Sequence, residues 1–140
     1  MRRKVILIVD DEPEIHELLK AYLSHLDIEI YSAYNGNQGI ETYKMLLKNG
    51  KKPDLVVMDL NLSGSESIEA MQRQMEGRDM DGVRATREIV KMDKKANIIG
   101  FTAYAHLEWG KRLRENGARE VLGREVGFEG FAQRISEILS

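Results

Sequence analysis

The chain has no cysteine among its 140 residues. That excludes a disulfide framework, a thiolate metal site and a catalytic thiol. It permits a reducing compartment, and a cytoplasmic location is the expectation. Long apolar runs are missing as well. The longest stretches of about five residues fall far short of the ~20 that span a bilayer, so no membrane association is expected. Excess basic charge is also lacking. Lys and Arg total 21 against 23 Asp and Glu, for a formal net charge of −2. This leaves no basic surface of the kind nucleic acid demands. Neither GxxxxGK[ST] nor GxGxxG occurs, so nucleotide-binding folds are not supported. The start, MRRKVILIVDD, sets basic residues before an apolar run, as a signal peptide does. The run is too short and ends in acid, so it reads as a first strand.

What remains is ordinary for one globular domain with a single core: 42% hydrophobic and 31% charged residues. Two kinds of segment alternate. Short apolar runs are VILIV (5–9), IEIYSAY (28–34), LVVM (55–58), IIGF (98–101) and a weaker EVLG (120–123). Helical patterns lie between them. In the first, Ile15, Leu18, Leu19, Tyr22, Leu23 and Leu26 recur at three and four, after Pro13 in a tolerated first-turn position. The others are expected at about 37–48, 82–92 and 105–116, with Gly117 as a C-cap, and along the stripe Phe128, Phe131, Ala132, Ile135, Ile138 and Leu139. Strands alternating with crossover helices must be parallel. The lack of polar alternation in VILIV and LVVM fits strands covered on both faces. The expected fold is α/β: a doubly wound five-stranded parallel sheet flanked by five helices.

In such sheets ligands bind beyond the carboxyl ends of the strands. Asp10 and Asp11 follow the first run, Asp59 the third, Thr102 the fourth and Arg124 the fifth. Three carboxylates in one crevice resist joint ionisation, and a divalent cation removes that cost. Oxygen-only ligands suit Mg2+, which is often completed by substrate phosphate. Polar caps at strand ends would explain one acid, but not the whole set.

VDDEP, MDLN and FTA together resemble the receiver domain of two-component response regulators, over nearly the whole chain. The resemblance implies a flavodoxin-like sheet of order 2-1-3-4-5. It implies that Asp59 accepts a phosphoryl group from a histidine kinase or phosphotransfer protein, with Mg2+ present. Asp11 then matches a direct metal ligand, Asp10 an acid holding metal-bound water, and Asn61 a ligand through its carbonyl. Thr102 matches the hydroxyl that binds a phosphoryl oxygen.

Three departures stand out. GREVG (123–127) places Arg124 where the family has lysine and Glu125 where it has proline. Arginine keeps the charge and binds phosphate in a bidentate way, but is bulkier. Without the proline, a cis bond cannot be assumed. Val121 stands where the family usually has an aromatic, and Tyr104 is a candidate substitute cover. Roughly fifteen residues, within 63–79, read as an insertion before the third helix. There Ile68, Met71 and Met75 share a helical face, and Ser63 with Glu66 fits a capping box. This segment is either a lid on its own domain or a partner or dimer surface. Trp109 reads as half-buried packing, or as a binding anchor if exposed. His16, His25 and His106 show no ligand spacing and read as surface residues.

The leading expectation is a stand-alone receiver that signals by contact with a protein target, since only Ser140 follows Leu139. A pseudo-receiver, an interaction module not switched by phosphate, is the alternative that GREVG and Val121 favour. A haloacid-dehalogenase-type hydrolase would want a second aspartate two residues after Asp59, where Asn61 stands.

Overall fold

The computed structural model describes residues 3–59, 81–103 and 108–140, except for the side chain of Trp109. The expected insertion at 63–79, Asn61, Tyr104 and His106 lie outside the described residues. The elements are β1 (Lys4–Val9), α1 (Pro13–Tyr22), β2 (Ile28–Ala33), α2 (Gly36–Lys48), β3 (Leu55–Met58), α3 (Asp81–Met92), β4 (Ile98–Thr102), α4 (Glu108–Glu115), β5 (Glu120–Gly123), a 3-10 turn (Arg124–Val126) and α5 (Gly127–Leu139). All strand pairings are parallel, in the order β2-β1-β3-β4-β5.

Side chains alternate across a strand, and β1 divides its own between two cores. Leu7 and Val9 join Tyr43, Val56, Met58, Val83, Ile89 and Leu113 under α2, α3 and α4. Ile6 and Ile8 join Ile15, Leu19, Val57, Phe101, Phe131 and Ile135 under α1 and α5. Val5 to Val9 are all 0% exposed. This is why the first run carries no polar residue.

Helix ends follow local chemistry. The Asn35 side chain caps α2 by accepting from the Gln38 N–H. After α4, Gly117 takes φ +129, and the N–H groups of Gly117 and Ala118 return to the carbonyls of Arg114 and Leu113. The first helix is shorter than its stripe. It stops at Tyr22, where the Ser24 hydroxyl donates to the Ala21 carbonyl and competes with continuation of the helix. Leu26 therefore lies beyond the helix, yet still packs on the α1/α5 core. Leu18 and Tyr22 fall on the spacing of the stripe but stay 40% and 43% exposed.

The fourth helix is seated by a missing side chain. A Cβ on Gly100 of β4 would come 2.7 Å from a Leu113 methyl and 3.0 Å from Val121. Glycine there lets α4 approach the sheet. Val121 fills part of that contact as half-buried packing.

Candidate functional site

Three turns at the carboxyl end of the sheet bring the site together. Asp10 and Asp11 follow β1, and Asp59 follows β3, its N–H donating to the Val9 carbonyl across the strand pair. Ligand atoms of the three carboxylates all lie within 4.8 Å of one another. Asp10 is 3% exposed and Asp59 9%. Thr102, 1% exposed, ends β4 beside Gly123, its register partner on β5.

Arg124 closes the cluster from the β5 side. Its Nη2 lies 3.1 Å from Asp10 Oδ2 and 3.6 Å from Asp59 Oδ1. Nε and Nη2 also donate to the Phe101 carbonyl at 3.3 and 3.2 Å, and the guanidinium lies 4.7 Å from the centre of the Phe101 ring. The stem is thus fixed by backbone and ring while the head faces the acids. No cis peptide occurs among the described residues.

Asp10 is held at four atoms. Its N–H donates to the Ala33 carbonyl at 3.1 Å. Oδ1 accepts the Glu12 N–H at 2.9 Å. Oδ2 faces Arg124, and the carbonyl lies 2.7 Å from His16 Nε2. Burial pushes the Asp10 carboxyl above its ordinary range; the Glu12 N–H and the Arg124 cation oppose this, and Asp11 adds to it.

His16 corrects an expectation. It is not a surface residue but 0% exposed. Its Nδ1 lies 2.9 Å from the Ser32 hydroxyl and its Nε2 meets the Asp10 carbonyl. A buried imidazole is tolerated because both nitrogens are satisfied. The signal was present: His16 stands three residues before Leu19, on the edge of the apolar stripe. His25 is exposed, as expected.

The donor set fits Mg2+. It is oxygen only, as a hard ion requires, and three carboxylates gathered in one place repel one another unless a cation lies among them. Asp10, Asp11 and Asp59 would hold the ion. Asp10, Asp11, Asp59, Thr102 and Arg124 all follow or end strands at the carboxyl end of the sheet, with the three acids gathered together and Arg124 against Asp10 and Asp59.

The response regulator receiver domain family matches residues 6–136. The chain belongs to that family. This receiver is 27% identical to the sporulation initiation phosphotransferase F of Bacillus subtilis, over 99% of this chain and 96% of that protein. It is 28% identical to the sensor histidine kinase RcsC of Salmonella typhi over 94% of its own length, but spans only 12% of that kinase. Among solved structures, the response regulator TrrA of Thermotoga maritima, in complex with Mg2+ and beryllofluoride, superposes with a TM-score of 0.70 at 30% identity. That match covers 96% of this chain and 98% of the other. The doubly wound fold of order 2-1-3-4-5 is therefore the receiver fold, and phosphoacceptor signalling in a two-component phosphorelay is the function of this class of domain. No helix among the described residues is long and apolar enough to cross a membrane.

Proposed function

We propose that this receiver takes a phosphoryl group onto Asp59 from a phosphohistidine, on a sensor kinase or a phosphotransfer protein, and signals by contact with a protein target. The observation that carries the reading is the convergence of three carboxylates with one guanidinium around Asp59. An Asp59 Oδ attacks phosphorus in line, forming an acyl phosphate, as the P–N bond to the donor imidazole breaks and that ring leaves. Mg2+ bound at Asp10, Asp11, Asp59 and the Asn61 carbonyl would neutralise charge on the phosphoryl oxygens. Arg124, within 3.6 Å of Asp59, supplies a second, fixed positive charge beside the acceptor. Thr102 donates its hydroxyl to a phosphoryl oxygen. The reading includes a cytoplasmic site of action, no direct contact with nucleic acid, and a downstream protein or second copy as the listener.

Incubation with acetyl phosphate and Mg2+, followed by intact mass measurement, tests it. One phosphoryl group is expected on the parent protein and none on Asp59→Asn. Modification at the parent rate in that variant would assign the nucleophile elsewhere. A second reading, a receiver fold not switched by phosphate, draws on the Arg124–Asp10 ion pair and on Val121. It predicts no modification and no Mg2+-dependent beryllofluoride binding.

A further inference from the structure

We propose that His16 is a positioning residue for the metal-binding acids, acting through the Asp10 carbonyl. The inference rests on the Mg2+-dependent reading above.

A carbonyl oxygen only accepts, so the 2.7 Å contact to Asp10 requires the proton on Nε2. In the neutral ring Nδ1 then accepts from the Ser32 hydroxyl at 2.9 Å. Ser32 belongs to β2 and pairs in register with Ile8 of β1. The imidazole, fixed four residues into α1, therefore ties the turn after β1 to the neighbouring strand. The Tyr34 ring covers it, with centroids 4.5 Å apart. Every hydrogen bond that Asp10 makes through its N–H and carboxylate restrains its flanks, but only His16 grips its carbonyl among the contacts described. The peptide plane between Asp10 and Asp11 begins at that carbonyl. The peptide unit is rigid, so holding that plane fixes the Cα atoms of Asp10 and Asp11 relative to each other and restrains the directions from which both side chains leave the backbone. Metal acids must be held within about half an ångström of a productive geometry. A buried, doubly bonded ring beneath them is a means of doing so.

The test separates the carbonyl bond from bulk. His16→Phe keeps a ring against Tyr34 and loses both hydrogen bonds. His16→Gln retains an amide donor near the former Nε2 position and can keep the Asp10 bond. Phosphorylation by acetyl phosphate is measured against Mg2+ concentration, alongside calorimetric titration with Mg2+ alone and thermal unfolding. In His16→Phe the Mg2+ concentration for half-maximal rate is expected to rise five-fold or more, with the rate at saturating Mg2+ within two-fold of the parent. His16→Gln is expected within two-fold of the parent on both measures. An unchanged Mg2+ requirement in folded His16→Phe overturns the inference, as does an equal loss in both variants. If His16→Phe does not fold, the calorimetric affinity of His16→Gln decides: parental affinity supports the inference and a five-fold loss overturns it. Failure of the parent protein to bind Mg2+ overturns the functional reading itself and the inference with it.

Discussion

Arg124 engages two acids, a carbonyl and an aromatic face at once. Its removal should therefore be felt twice. Arg124→Ala is expected to weaken beryllofluoride binding in the presence of Mg2+ by roughly 1.5–3 kcal/mol, the scale of a hydrogen bond to a charged group; fluoride-dependent calorimetry reads this. Arg124→Lys should restore only part, because one ammonium cannot bond the Phe101 carbonyl and both acids from the guanidinium's plane. Parental affinity in Arg124→Ala would remove the residue from the site. Asp10 gives the opposite sign in the metal-free state. Burial, with the neighbouring Asp11 charge, holds the Asp10 carboxyl above its ordinary range despite Glu12 and Arg124, so Asp10→Asn should raise the metal-free melting temperature while weakening Mg2+ binding. Equal melting temperatures would mean that Arg124 already offsets the burial.

At the scale of elements, two contacts fix how helices meet the sheet. Gly100→Ala would drive a methyl into Leu113 and Val121 and is expected to cost about 1–3 kcal/mol by overpacking, measured by urea unfolding. The α5 helix is tied to β5 by Arg134, which donates to both Glu120 oxygens at 2.6 and 3.1 Å. That hydrogen bonding holds the Glu120 carboxyl below its ordinary value of 4.5. A depressed carboxylate stabilises the fold above its unfolded pKa and loses that contribution as pH falls through the folded value. Glu120→Gln should thus be less stable than the parent by at most about 1 kcal/mol, since the pair is partly exposed. The gap should be complete above about pH 5 and close at lower pH; a gap independent of pH would place the effect in packing. The strands were legible in the sequence because their burial on both faces leaves unbroken apolar runs. The limit of α1 was not, because Ser24 ends it by a side-chain bond that periodicity does not record. His16 was legible only in part: its place on the edge of the apolar stripe marks its burial, but its partners, Ser32 and the Asp10 carbonyl, are assembled only by the fold.

For the molecule as a whole, the acids couple ion binding to folding. An ion bound only by the native state stabilises it by RT ln(1 + [L]/Kd), about 1.4 kcal/mol at ten times Kd. Mg2+ should therefore raise the melting temperature of the parent protein in a concentration-dependent way, and should do so far less in Asp11→Ala. Equal shifts in the two would sever Asp11 from the ion.

The order of the sheet also has a consequence for synthesis. The strands β2, β1 and β3 lie side by side, and all three belong to the first 59 residues, as do Asp10, Asp11 and Asp59. The acids of the cluster are therefore made before β4, β5 and Arg124, although the side chains that complete both cores around β1 and β3 follow them in the chain. Arg124 follows the last strand, so the internal cation is the last member of the cluster to enter the chain, and the completed fold alone joins it to acids that lie far before it in the sequence.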